Sequence, residues 1–261
     1  MPAGETMWDA DQYEKFRGER SRPFFDLLSR IPDGSYKSIF DLGCGTGDLT
    51  AVLADQWPEA RVIGVDNSDE MLAAAAAHAD PGRLDFVKDD IATWKSAQPA
   101  DLIVSNAAFH WVPDHEALIR RVAEFLGKKG ILAVQVPANF DSPSHTLLRD
   151  TIAGGPWAGK LEGLLRHDIV LPPSRYVEIA WSCGLRIDAW ETIYHHVLAG
   201  KDAVLEWMKG TGLRPVVKAL EGAERDEFLS AYAARLRAAY PETPSGTIFS
   251  FRRVFFVARK S

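Results

Sequence analysis

At 261 residues, with 46% apolar and 25% charged residues, the chain is long enough to bury one α/β core with elaborations and has ordinary globular composition. No run approaches the ~18 consecutive apolar residues of a membrane span, and Met1–Trp8 lacks the basic-then-apolar order of a signal peptide. A net charge of −6 without a basic stripe argues against nucleic acid, and two cysteines, Cys44 and Cys183, without metal-ligand spacing lead to the expectation of a cytoplasmic chain with no metal.

Residues 36 to 137 alternate short apolar runs with helical patterns. Tyr36–Asp41, Arg61–Asp66, Leu84–Lys88, Asp101–Asn106 and Gly130–Val136 read as strands. Asp48–Trp57, Asp69–Ala79 and Asp114–Leu126 read as helices, with Ser68 as an N-cap and Asp69 and Glu70 in the first turn. This alternation predicts a parallel sheet with right-handed crossovers. Residues 138 to 172 hold prolines, glycines and short helical stretches. Ile187–Leu198 then reads as a strand, Lys201–Lys209 and Glu224–Tyr240 as helices, and Ile248–Arg259 as a long final strand. We read one domain over 1–261, with a ligand-binding core at 36–137. Helical insertions at 138–186 and 199–247 are expected to form a lid over the carboxyl ends of the early strands, where open α/β sheets bind ligands.

The strongest motif is Asp41-Leu42-Gly43-Cys44-Gly45-Thr46-Gly47, between a strand and a helix. A dinucleotide fingerprint counted from Gly43 would need a glycine where this chain has Asp48. Asp41, two residues before the first glycine, would oppose a pyrophosphate but suits an ammonium group. S-adenosylmethionine carries an ammonium and no phosphate. Asp66 ends the second strand, beside Asn67, where a carboxylate can accept from ribose hydroxyls. Asp90, beside Ile91, follows the third strand and is placed to accept from an adenine amino group. The bland alternatives are a plain glycine-rich turn, a helix-start acid at Asp66 and a solvated turn acid at Asp90.

At these residues the chain resembles the class I S-adenosylmethionine-dependent methyltransferases. The resemblance implies a Rossmann-like, seven-stranded sheet whose antiparallel last strand, Ile248–Arg259, lies between the fifth strand and Ile187–Leu198. A closer likeness rests on Phe16-Arg17-Gly18-Glu19-Arg20-Ser21-Arg22-Pro23, Asn106-Ala107-Ala108-Phe109-His110-Trp111 and Val134-Gln135-Val136-Pro137. It continues in Thr211-Gly212-Leu213-Arg214-Pro215 and Arg253-Val254-Phe255-Phe256-Val257-Ala258-Arg259. These stretches are similar to the family of trans-aconitate methyltransferases, with His110 and Arg252 as departures from its usual residues. That family implies methyl transfer to a carboxylate of a small tricarboxylate, yielding a monomethyl ester and S-adenosylhomocysteine, without a metal.

A carboxylic acid ordinarily titrates near pH ~4, so the carboxylate is already ionised at neutral pH and needs no general base. Catalysis then reduces to alignment and exclusion of water, so no catalytic dyad is expected. Recognition of a tricarboxylate calls for forked cations, and the candidates are Arg20, Arg22, Arg214 and Arg253. Each has a plain reading as a surface arginine, Arg253 least so, because it shares an apolar strand face with Phe251 and Phe255. Asn106 and His110 are candidate positioning groups after the fourth strand. Trp8, Tyr13 and Trp111 are candidate walls for the sulfonium or adenine, Trp111 also for the acid, and Tyr194 and His195 are candidate lid contacts. The competing functions are methylation of another small acid, such as a malonyl thioester or a dicarboxylate, and a non-catalytic cofactor-binding module. The chain is expected to be a monomer or a weak homo-oligomer.

Overall fold

The computed structural model describes residues 17–161, 163–164 and 169–261. Trp8 and Tyr13 lie outside the described residues, and so does the side chain of Arg20. The chain runs α1 (Arg17–Leu28), β1 (Ser38–Leu42), α2 (Asp48–Gln56), β2 (Arg61–Asp66), α3 (Asp69–Ala75), β3 (Leu84–Lys88), β4 (Ala100–Asn106), α4 (His115–Glu124) and β5 (Leu126–Pro137). It continues with α5 (Pro143–Ala153), α6 (Ala158–Leu161), α7 (Pro173–Ser182), β6 (Leu185–Leu198), α8 (Ala203–Lys209), α9 (Arg214–Ala219), α10 (Gly222–Ala239), β7 (Glu242–Thr243) and β8 (Gly246–Lys260).

The strands follow the order β3-β2-β1-β4-β5-β8-β6, parallel from β3 to β5. β8 is antiparallel to β5 and lies between it and β6, as the class I resemblance implies. Among the described residues the sheet has eight strands, the expected seven and one more. The extra one is the two-residue β7, which pairs with the start of β8 through a tight turn closed by Thr243 Oγ1 donating to the Gly246 carbonyl at 2.6 Å.

β4 over Leu102–Ser105 and β5 over Gly130–Val136 are buried on both faces, so these stretches read as nearly continuous apolar runs. β6 instead alternates buried and exposed positions, as a strand with one wet face does. α4 shows how local chemistry sets an element. Asp114 caps it by accepting from the Ala117 amide at 2.9 Å, and Leu118, Ile119 and Val122 supply the buried stripe. Between β3 and β4 no helix forms; Trp94 covers the sheet there, edge-on to Phe40 and Phe125. Among the described residues no helix is long and apolar enough to cross a membrane.

Two compact units emerge. One comprises Ser21–Pro137, Ile169–Thr192 and Arg253–Ser261, with Ile39, Val62, Leu102, Val104 and Leu132 fully buried at its centre. The other is drawn chiefly from Ala138–Asp168 and Ile193–Arg252. Its own core gathers Trp207, Met208, Phe228, Tyr232, Phe249 and Phe251. Tyr232 donates to the Ser144 carbonyl at 2.7 Å and the Ser144 amide donates to the Tyr240 hydroxyl at 3.0 Å, tying α5 to α10 and its end.

Candidate active site

The glycine turn leaves β1 and opens α2. The amides of Gly43 and Cys44 both donate to the Val65 carbonyl, at 2.8 and 3.0 Å. Gly43 has φ +83° and Gly47 φ +81°, and both are closely packed. A Cβ on Gly43 would lie 2.1 Å from Ala108 Cβ, and one on Gly47 would lie 2.8 Å from Phe86 Cζ. Gly45 differs: at φ +56° a Cβ would meet nothing within 4 Å. The middle glycine thus faces open space while its neighbours hold the turn against β2, β3 and the end of β4. Cys44 is buried and its thiol is pushed well up by that burial, with Asp41 and Asp66 adding to the shift, so it stays an inert thiol.

Two carboxylates flank this turn. Asp41 is buried and accepts from Thr50 Oγ1 at 2.6 Å. Burial raises its pKa to about 6, the Thr50 bond opposes the rise, and the charge of Asp66 adds to it. Asp66 Oδ2 accepts from the Gly45 amide at 2.9 Å, and its Oδ1 accepts from the Ser68 amide at 2.9 Å. It therefore stitches the turn to the β2–α3 junction and keeps acceptor capacity in reserve, since an ionised carboxylate has about four lone-pair sites. Ser68 caps α3 by accepting from the Met71 amide. Asn67 and Asp90 are exposed. Asp90 Oδ1 accepts from the Ala92 amide at 2.8 Å, and the Ile91 carbonyl is held by Arg121 Nη2 at 2.7 Å. Ile91 also approaches the turn, its Cδ1 lying 3.2 Å from where a Cβ on Gly43 would be. Acids beside glycine amides, open space over Gly45 and no phosphate-binding cation in the turn itself suit a phosphate-free, ammonium-bearing adenosyl compound.

The end of β4 forms the next wall. Asn106 is partly exposed, with its Oδ1 enclosed. Ala107 follows at φ +54°, an unusual conformation for a residue with a Cβ, held by its amide donating to the Gln135 carbonyl at 2.9 Å. Phe109–Trp111 then form one 3-10 turn. His110 packs against Trp111 with ring centroids 4.8 Å apart, and Trp111 is 57% exposed.

This turn has a support that sequence reasoning missed. His115 is buried, with Nε2 3.0 Å from the Phe109 carbonyl and Nδ1 2.6 Å from the Tyr176 hydroxyl. A carbonyl only accepts, so Nε2 carries the proton and Nδ1 accepts from Tyr176. α7, which supplies Tyr176, thus braces the segment that carries Asn106 and His110.

Arg253 is only 5% exposed and donates from Nη1 to Gln135 Oε1 at 3.3 Å. Register places Gln135 opposite both Asn106 and Phe255, and Arg253 opposite Pro137. Asn106, Gln135 and Arg253 therefore share one face near the carboxyl ends of β4 and β5. Gln135 is a second residue that sequence reasoning missed as a site residue.

The remaining candidates are placed as follows. Arg22 lies on α1, exposed and 3.9 Å from Asp26. Arg214 opens α9 and is half-buried, in the second unit. Tyr194 is buried there and stacks on His196 at 6.1 Å. His195 is exposed on β6, with Nδ1 2.8 Å from Ser250 Oγ. Arg252 is committed locally, donating from Nε to the Ala138 carbonyl and facing Asp141.

A methyltransferase-domain family model matches residues 39–130, the stretch that holds the glycine turn, Asp66, Asp90 and Asn106. The trans-aconitate 2-methyltransferase of Streptomyces avermitilis is 49% identical over 100% of this chain and 99% of its own length. That of Agrobacterium fabrum is 42% identical, over 97% of this chain and 99% of its own. Among solved structures, phosphoethanolamine N-methyltransferase 2 of Haemonchus contortus in complex with S-adenosyl-L-methionine is similar in fold. Its TM-score is 0.57 at 18% identity, covering 96% of this chain and 56% of that one. With a glycine turn and acids suited to an adenosyl sulfonium, and relatives alike over their whole length, this chain belongs to the trans-aconitate 2-methyltransferase family of class I methyltransferases.

Proposed function

We propose that the protein transfers the methyl group of S-adenosylmethionine to a carboxylate of trans-aconitate, giving the monomethyl ester and S-adenosylhomocysteine. The observation that carries this reading is Arg253. It is a buried guanidinium followed by the apolar run Val254–Ala258, on the face shared with Gln135 and Asn106. A guanidinium's planar fork of donors suits bidentate recognition of a carboxylate. The ends of parallel strands are where such folds take their ligands.

When bound, S-adenosylmethionine supplies an activated methyl group on sulfur. Asp41 and the backbone of Gly43, Gly45 and Gly47 are assigned to its amino-acid part. Asp66 and Asn67 are assigned to the ribose, and Asp90 and Ile91 to the base. Asn106 and His110 position the reacting groups. Arg253 orients the acid through a planar fork and leaves its carboxylates ionised. Arg20, Arg22, Trp111, Tyr194, His195 and Arg214 are assigned to the acid from the sequence alone. No side chain has to remove a proton, so alignment carries the rate. The protein is further read as a cytoplasmic monomer or weak homo-oligomer that acts on free metabolites and not on nucleic acid.

The test combines a panel of acids with S-adenosylmethionine and variants of Arg253. Ester should form on trans-aconitate in preference to dicarboxylates and malonyl thioesters. Arg253→Ala should raise KM for the acid by more than about tenfold, roughly 1.4 kcal/mol. Lysine should rescue only in part, and cofactor affinity should change by a few-fold at most. Ester formation on another acid alone, or unchanged KM in Arg253→Ala, overturns the reading.

A further inference from the structure

We propose that Gln135 is a positioning residue for methyl transfer, holding the amide of Asn106 through a relay that runs Arg253–Gln135–Asn106. The inference rests on the reading that Asn106 faces the transferring methyl group, and it deepens that reading.

Gln135 is the one polar residue in the run Ile131–Val136 of β5, and it is 0% exposed. An amide in such a strand destabilises the fold unless its hydrogen bonds are made. Half of that requirement is visible. Oε1 accepts from Arg253 Nη1 at 3.3 Å, which turns Nε2 away from the guanidinium. Nε2 is enclosed and, among the described residues, has no hydrogen-bond partner.

The complementary orphan sits one strand away. Asn106 Oδ1 is likewise enclosed and, among the described residues, without a partner. Asn106 and Gln135 are register partners on parallel β4 and β5, so their side chains leave the same face of the sheet. The Ala107 amide, donating to the Gln135 carbonyl at 2.9 Å, holds the two strands together at this position.

One orphan is a donor and the other an acceptor. Nε2 is covered by protein atoms, and the relay assigns it a neighbouring protein group as partner. A change of side-chain torsion joins Nε2–H to Asn106 Oδ1. The relay then fixes which end of the Asn106 amide is turned outward. Oδ1 is occupied from below, and Nδ2 presents its N–H donors at the end of β4, where an ionised carboxylate accepts them.

This assignment makes an ordering that a packing role does not. Gln135→Glu keeps the acceptor for Arg253 but lacks the donor, and its free oxygen draws Asn106 Nδ2 inward. Gln135→Met keeps the volume and removes both functions. The relay therefore predicts turnover in the order Gln, then Met, then Glu. A residue that only held Arg253 would give Gln and Glu alike, with Met below. Relative to the parent protein we expect kcat/KM for the acid to fall about tenfold in Gln135→Met and about a hundredfold in Gln135→Glu, with cofactor affinity within about threefold. Combining Gln135→Met with Asn106→Ala should cost no more than Asn106→Ala alone, since coupled residues are not additive.

A second readout does not depend on turnover. In the full chain saturated with S-adenosylhomocysteine, the side-chain amide protons of Gln135 should exchange slowly with solvent, and Asn106→Ala should speed that exchange at least about tenfold. If the parent protein esterifies no acid, the functional reading fails whatever Gln135 does. Where the parent is active, Glu equal to Gln, an additive double variant, or exchange indifferent to Asn106→Ala each overturns the relay.

Discussion

The contrast between Gly43 and Gly45 allows stability and binding to be separated with two single methyl groups. Both glycines have positive φ, where an L-residue costs roughly 1–2 kcal/mol. At Gly45 that strain is the whole penalty, because a Cβ there meets nothing within 4 Å. For a chain of this size 1 kcal/mol shifts Tm by roughly 2–4 °C, so ligand-free Gly45→Ala should melt a few degrees low. Its new methyl, however, stands in the space read as the cofactor's. Overpacking of that kind costs typically 1–3 kcal/mol, equivalent to roughly 5- to 150-fold in affinity. At Gly43 the added Cβ would sit 2.1 Å from Ala108 Cβ, so Ala108 or the turn has to move. Strain and overpacking together then come to about 2–5 kcal/mol in the ligand-free protein. The assay is thermal or urea unfolding of the ligand-free variants beside calorimetric titration with S-adenosylhomocysteine. Gly45→Ala should lose stability only through its backbone strain but bind poorly, and Gly43→Ala should be the less stable of the two. If Gly45→Ala binds within threefold of the parent, the cofactor does not lie over this turn and the site reading is wrong.

Two further outcomes follow from the buried groups. Asp41, with its pKa raised to about 6, favours folding most below its unfolded value of 3.8, and that contribution is lost as pH rises through about 6. An ammonium ligand favours the ionised form, so cofactor affinity should weaken as pH falls below about 6, and Asp41→Asn should both weaken binding and flatten that dependence; a parallel pH profile in the variant refutes the assignment. Tyr176→Phe removes the donor to His115 Nδ1 and the acceptor of the Leu171 amide, and should cost about 1–3 kcal/mol of stability in urea unfolding while lowering turnover through the Phe109–Trp111 turn. Unchanged stability and unchanged kcat would show that the His115 contact does not brace that turn.

Where apolar runs end at polar residues, the sequence marks its own boundaries. β2 and β3 begin and end at the expected residues for that reason. Leu126 satisfies both a helical and a strand pattern, so an expected helix to Leu126 gives way to β5 starting there. α7 falls within the expected helical insertion 138–186 and ends beside Cys183, and its prolines Pro172 and Pro173 sit at the cap and first turn, where a missing N–H costs nothing. The bond between Tyr176 and His115 is not legible in the sequence, because it depends on how α7 meets α4 across 61 residues of chain. The glycine turn and its acids are legible from spacing alone. Which backbone donors Asp66 would take is not, because that choice depends on how β1 and β2 meet in space. Gln135 did leave a signal, a lone amide in an apolar strand, but its pairing with Arg253 depends on the antiparallel register of β8.

The double commitment of Asp66 has a consequence for redesign. In a fold where the acid after the second strand touched only the ligand, swapping it would be a clean way to change which nucleoside analogue is accepted. Here the same carboxylate also anchors Gly45 and starts α3. A substitution meant to retune the sugar end would therefore loosen the turn read as holding the amino-acid end, and selectivity and affinity would fall together. Engineering toward altered sulfonium donors has freer ground at Asn67, which is exposed. There a new side chain meets solvent first and leaves the turn intact.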